Sequence, residues 1–197
     1  MFEVTDFDIF KDTTLTGRMT KIRDIIDPKF DTFATKALPV LAQDGQVWYA
    51  HVAKHLRRVT NAPDNTWVAF APNKRGYKMM PHFELGLWED NLYLFLAVEE
   101  NMKPKALDDI VPKLRKITDD VLKLPEYFVL SPDHMVNAAQ PLTNYNAVVD
   151  RFANIKHSEV LIGVTISRDD TRFGTSALDD YLLKVLEHLL PLYQQLK

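Results

Sequence analysis

Between His51 and His82 the chain carries six cations, Lys54, Arg57, Arg58, Lys74, Arg75 and Lys78, against a single anion, Asp64. Such a grouping suits negative oxygen atoms, because guanidinium forks and ammonium groups make charge-assisted hydrogen bonds to phosphate. If residues 51–58 form a helix, Lys54, Arg57 and Arg58 fall at i, i+3 and i+4, where like charges repel by a few tenths of a kcal/mol. A bound anion would relieve that repulsion. Asn73-Lys-Arg-Gly76 reads as a hairpin turn that presents Lys74 and Arg75 beside free backbone amides at a glycine-bearing tip. With His82 as a polar contact, these seven residues form the candidate anion-binding set. The plain alternative is a solvated face on which scattered cations serve solubility.

Other chemistries are weaker. His51 and His55 stand at i, i+4, and His82 with Glu84 could extend a metal shell. Val52, however, occupies the place where a His-Glu-x-x-His metalloprotease has its base, and the surrounding cations repel a divalent ion. The expectation is ordinary histidines and no metal. His82 and Glu84 could also act as acid and base near a bound anion. The chain has no cysteine, which removes disulfides, thiolate catalysis and cysteine-ligated metals together. The six glycines, Gly17, Gly45, Gly76, Gly86, Gly163 and Gly174, are too scattered for a Walker loop or a dinucleotide fingerprint. No Gly-x-Ser-x-Gly elbow or Ser-x-x-Lys pair occurs. Trp48, Trp67 and Trp88 could stack on a ring, but aromatic residues of this size usually anchor a core.

Several elements must position these residues. Met19, Ile22, Ile26, Phe30, Phe33, Ala37 and Leu41 recur at helical spacing, so residues 17–43 read as a helical hairpin or a helix bent at Pro28. Residues 5–10, with Phe7 and Phe10 three apart, could start another helical turn. After the turn chemistry of residues 61–65 the period changes to two. Strands are expected over 66–71, 77–88 and 92–98, joined by turns at 73–76 and 89–91, as an antiparallel meander. In the second of these strands Tyr77, Met79, Phe83, Leu85 and Leu87 share one face, and Lys78, His82 and Glu84 share the other. The third is apolar on both faces, the mark of a central strand. A helical stripe runs from Leu107 to Val121, a short strand covers 127–130, a helix covers 143–155 and a strand covers 159–167. A final helix opens at Ser176 with Asp179 three residues on, as a capping box. The fold class is therefore α+β: an antiparallel or mixed sheet, an N-terminal helical segment and helices packed on the sheet, all in one domain over residues 1–197.

Composition agrees with this. Hydrophobic residues make up 46% and charged residues 26% of 197, a globular mixture. No apolar run reaches the roughly 18 residues that cross a bilayer, and the Asp-rich N-terminus lacks a leader's pattern. A cytoplasmic location and no membrane partner are expected. The net charge of −3 argues against nucleic acid as a partner.

The chain also resembles the YktB-like family of uncharacterised proteins of Gram-positive bacteria. The resemblance rests on Thr5-Asp-Phe7 with Phe10, Gly17-Arg-Met19, Ile26-Asp-Pro-Lys-Phe30 and His51-Val-Ala-Lys-His55 with Arg57-Arg58. It extends through Asp64-Asn-Thr-Trp-Val-Ala-Phe70 and Asn73-Lys-Arg-Gly-Tyr-Lys78, followed by Pro81-His-Phe83. It implies an α+β sandwich similar in layout to biotin and lipoate protein ligases, whose glycine- and arginine-rich adenylate loop is not reproduced here. It assigns no activity and no cofactor.

Three readings follow. The first is a binding module for a phosphate-bearing small molecule, a nucleotide or cofactor, held in a basic pocket. The second is a transferase or ligase using the same pocket, and the third is a nucleic-acid or protein interaction domain. The residues alone do not decide whether the chain is an enzyme, and they leave its oligomeric state open.

Overall fold

The computed structural model describes residues 1–197, the side chain of Asp44 apart. Seven strands form one antiparallel sheet: β1 (Tyr49–Val52), β2 (Thr66–Ala71), β3 (His82–Leu87), β4 (Asn91–Val98), β5 (Val129–Ser131), β6 (Gln140–Pro141) and β7 (Val160–Ser167). Their order is β1-β2-β3-β4-β7-β5-β6, so β4 sits in the middle, as its two apolar faces require. The helices are α1 (Leu15–Lys21), α2 (Asp27–Leu41), α3 (Lys103–Lys116), α4 (Thr118–Leu122), α5 (Tyr145–Asn154) and α6 (Ser176–Leu196). A 3-10 helix, Val4–Lys11, precedes α1 and buries Phe7, Ile9 and Phe10. The class is α+β.

Strand alternation divides the sheet into two chemistries. On one face Val68 and Phe70 from β2, Phe83, Leu85 and Leu87 from β3, Leu94 and Leu96 from β4, and Ile162 and Val164 from β7 join a single hydrophobic cluster. α2 covers it with Phe30, Phe33 and Ala37, and α6 covers it with Leu178, Leu182, Val185, Leu186 and Leu189, all buried. At about 25 cal/mol per Å² of apolar surface removed from water, this face supplies most of the driving force for folding. The opposite face carries a small cluster of Trp67, Ala69, Tyr93, Phe95, Ala97 and Leu161, and interleaved with it lie the buried His82, Glu84, Glu99 and Glu159.

Four local expectations are corrected. Residues 51–58 are not helical: His51 and Val52 pair with Ala69 and Val68 as part of β1. The chain then leaves the sheet and turns at His55, whose φ of 48° no right-handed helix allows. Sheet pairing overrides the local spacing. The link between β2 and β3 is also longer than a hairpin turn and occupies residues 72–81, so Tyr77 and Lys78 stand above the sheet rather than within a strand. Pro28 does not split the pattern where a bend was expected: it takes a first-turn position of α2, and α1 runs on into α2 through a π-helical segment, Ile22–Ile26. The capping box at α6 does not form; Asp179 instead pairs with Lys36 at 2.7 Å and ties α6 to α2. β6 was not expected, because two residues ending in Pro141 carry no strand signal.

Asp27, at the junction of the π segment and α2, has a buried Oδ1 with no hydrogen-bond partner among the described residues. Burial and then the neighbouring Asp31 raise its pKa to about 6, against a smaller opposing effect of Arg23. A carboxyl raised above its unfolded value of 3.8 favours folding below that value, and the benefit is lost as pH climbs through 6. Asp27→Asn is therefore expected to stabilise the protein by about 1 kcal/mol above neutral pH, after allowance for screening. Thermal melts across pH check this, and the gain over wild type should shrink toward pH 4.

Candidate functional site

The second face holds the site. β3 contributes His82 and Glu84, both 0% exposed, and two-residue alternation then places Gly86 on the same side. β4 contributes Tyr93, Phe95 and Ala97 in register with Gly86, Glu84 and His82, and Glu99 follows at its end. Glu159 precedes β7, where its backbone N–H donates to the carbonyl of Pro132. The loop over residues 131–138 folds back across this face. Ser131 Oγ and Asp133 Oδ1 shape its turn, and it delivers His134 to Glu159. Small side chains at Ala69 and Ala97 and the bare backbone of Gly86 leave the room that these polar groups occupy. A Cβ at Gly86 would overlap the ring and hydroxyl of Tyr93.

The two histidines are held differently. His134 takes a short bond from Nδ1 to Glu159 Oε2, 2.7 Å, and the same oxygen accepts the His134 backbone N–H at 2.9 Å. His82 contacts the Met80 carbonyl through Nδ1 at 2.9 Å. Its Nε2 stands between Glu84 Oε1 at 3.3 Å and Glu99 Oε1 at 3.4 Å. Glu99 turns its other oxygen, Oε2, outward to the Asn101 amide at 2.7 Å and to Lys78 Nζ at 3.6 Å. Burial opposes charge on both histidines, yet the bonds and charges of the glutamates outweigh it, raising His82 to about 10 and His134 to about 9. Burial likewise opposes charge on Glu99, but His82 dominates and holds it down at about 2. Tyr77 and Tyr93 are pushed above the ordinary phenol value, first by burial and then by the charge of Glu84.

Above this layer lies a groove of about 550 Å³. Lys54, Arg57 and Arg58 from the loop after β1 line it together with Lys78 from the loop before β3. Trp67, Tyr77, His55, Leu56, Asn101 and Met135 complete the lining. Trp67 Nε1 donates to the Tyr77 hydroxyl at 3.0 Å, which fixes two aromatic walls. Tyr77 packs edge-on to His82 at 4.8 Å between ring centroids, so one layer of side chains separates groove from charge cluster. Burial, and then Arg58, push His55 down to about 4, leaving it neutral at physiological pH.

Of the seven residues in the candidate anion set, the structure thus gathers Lys54, Arg57, Arg58 and Lys78 along one groove. Lys74 and Arg75 project into solvent at the tip of the 72–81 loop and do not line it. His82 lies beneath, without exposure. His51 and His55 do not form a pair: His51 Nε2 contacts the Asn73 carbonyl at 2.9 Å and His55 Nε2 contacts Thr66 Oγ1 at 3.2 Å. Trp48 belongs to the hydrophobic core, and Trp67 to the groove. Glu99, His134 and Glu159 escaped the sequence reading, since they lie far apart in the chain and no motif spacing links them. Only the even-numbered polar run of His82 and Glu84 in an apolar strand hinted at a charged second face.

The profile of a family described as a domain of unknown function, DUF1054, matches residues 2–193. The chain belongs to that family. A relative named UPF0637 protein from Leuconostoc mesenteroides is 59% identical over 197 residues, covering all of both chains. Another of that name from Leuconostoc citreum is 52% identical over the full length of both. A third, from Lactiplantibacillus plantarum, is 40% identical over 98% of this chain and 94% of its own. These names state no activity for the family, in keeping with the resemblance to uncharacterised proteins of Gram-positive bacteria. Among the described residues no helix is long and apolar enough to cross a membrane.

The room around Tyr93 is testable. Gly86→Ala should cost about 1–3 kcal/mol, because the added methyl meets a buried ring stacked on Phe95 that has no space to retreat. A lower melting temperature with a changed near-ultraviolet circular dichroism spectrum would report it.

Proposed function

We propose that this chain is a binding module for a phosphate-bearing small molecule held in the groove over the second face of the sheet. The observation that carries this reading is the convergence of Lys54, Arg57, Arg58 and Lys78, from two separate loops, on one recess walled by Trp67 and Tyr77. Among the described residues Lys78 pairs loosely with Glu99 at 3.6 Å and lies over the Tyr77 ring, while Lys54, Arg57 and Arg58 form no ion pair. The three cations without a carboxylate partner repel one another and Lys78, and an anion of several oxygens relieves each repulsion at once. The apolar groups of Leu56 and Met135 and the two aromatic walls suit the ring of a nucleotide or a cofactor.

The reading as a transferase or ligase has less support. His82 and Glu84, its acid and base, are wholly buried and line no part of the groove. An extended nucleic-acid surface would need cations spread along a face, and here four of them ring a single recess.

Thermal melts in inorganic phosphate, pyrophosphate, ATP and coenzyme A test the proposal. A ligand present at about a hundred times its Kd adds about 2.7 kcal/mol, a clear rise in melting temperature. Arg57→Glu with Arg58→Glu should abolish the rise, and Lys74→Glu with Arg75→Glu, outside the groove, should preserve it. Equal shifts in both double variants, or none in wild type, would defeat the reading. A binding constant falling with salt at a slope near −0.9 per phosphate on duplex DNA would point to nucleic acid instead.

A further inference from the structure

The geometry points to a site for one divalent metal ion of the zinc or manganese type on the second face of the sheet, ligated by His82 Nε2, Glu84 and Glu99. Neither the groove nor the anion is needed for it. Their three ligand atoms lie within 4.8 Å of one another, on side chains that are all buried.

Three features separate this cluster from a mere pocket of charge. First, the Nδ1 of His82 sits 2.9 Å from the Met80 carbonyl, an oxygen that can only accept. Nδ1 is thereby committed as a donor to the backbone, and Nε2 is the ring atom turned to the two carboxylate oxygens, where a metal ion would take the place of its proton. This is the backbone bond that orients metal-bound histidines. Second, three acceptors facing one another need a positive centre between them, either a proton or a metal ion. The proton is the poorer fit. One N–H would be divided between oxygens at 3.3 and 3.4 Å, although a charged imidazole on the same face closes to 2.7 Å on Glu159. Charge-assisted bonds normally span about 2.7–2.9 Å. By contrast, ligands about 2.0–2.1 Å from a tetrahedral ion stand about 3.3–3.4 Å apart, the separations of His82 Nε2 from each carboxylate here. Third, among the described residues the buried Glu84 Oε2 has no hydrogen-bond partner and the buried Glu99 Oε1 has only the 3.4 Å approach of His82 Nε2, while Glu99 Oε2 is held from outside by Asn101. Buried carboxylate oxygens without partners are costly, and a cation would satisfy them.

The neighbouring group of Glu99, His134 and Glu159 has the same residue types. There the His134–Glu159 pair already satisfies itself, so it needs no ion. The proposed set keeps His82 and Glu84 of the shell weighed from the sequence and takes Glu99, at the end of β4, in place of His51 and His55.

Because the ligands are buried, loading accompanies folding. Tag-free protein would be unfolded in chelator, refolded with Zn²⁺ or Mn²⁺ alone, desalted and assayed by elemental mass spectrometry and thermal melts. Wild type should retain one ion per chain and melt higher than protein refolded without metal. Glu84→Gln and Glu99→Gln should each lower retention at least about tenfold. If either variant fails to fold, nitrogen-15 spectra of the histidine rings in wild type decide. Zn²⁺ should move His82 Nε2 alone to a metal-bound shift. No retained ion in wild type, retention equal to that of the glutamine variants, or an unmoved His82 resonance would overturn the site. Such a failure would leave phosphate-dependent melting untouched, and the converse also holds.

Discussion

A carboxylate carried out of water has to be matched by positive charge or by hydrogen bonds, and that requirement shapes one whole side of this protein. Glu84, Glu99 and Glu159 all lie buried on the face of the sheet away from α2 and α6. Uncompensated, each would cost several kcal/mol. His134, Asn101 and Lys78 answer Glu159 and Glu99; His134 and Lys78 arrive on loops and Asn101 on the short 3-10 helix Glu100–Met102, all outside the sheet. The loops over residues 72–81 and 131–138 are therefore held in place by the charges they cover. Ordinary hydrocarbon packing does the same work on the opposite face, where Phe30, Phe33, Leu182 and Leu186 meet the strands.

The two layers of the second face are complementary in sign. The buried layer is rich in acid, whereas the groove above it is lined by cations, and Lys78 belongs to both through its contact with Glu99. A negatively charged ligand resting on Arg57 and Arg58 would feel the acids below only across the intervening Tyr77 and Trp67. Low-dielectric walls strengthen such fields, so the balance between layers sets how strongly the groove attracts anions.

Much of the fold was legible in the residues, because it follows from period and composition. The alternation in residues 82–87 separated Phe83, Leu85 and Leu87 from His82 and Glu84 before any coordinates. The doubly apolar run of β4 announced a central strand, and the stripe from Leu178 to Leu189 announced α6. What stayed hidden was decided at long range. His51 and Val52 begin a helix-like spacing in the sequence but pair with β2, an energy that local spacing does not contain. The candidate groove was half legible. The charges of Lys54, Arg57, Arg58 and Lys78 were plain, yet their convergence depends on a left-handed turn at His55 and on the length of the 72–81 loop. Glu99, His134 and Glu159 are separated by dozens of positions, and no motif spacing links them.

At the far border of the sheet, β6 consists of Gln140 and Pro141 paired only with β5. A proline has no amide hydrogen to offer a further strand, and two residues are too few to template one. That border terminates the ladder, so copies of this molecule crowded together cannot polymerise by stitching sheet to sheet there, however much β-structure each contains.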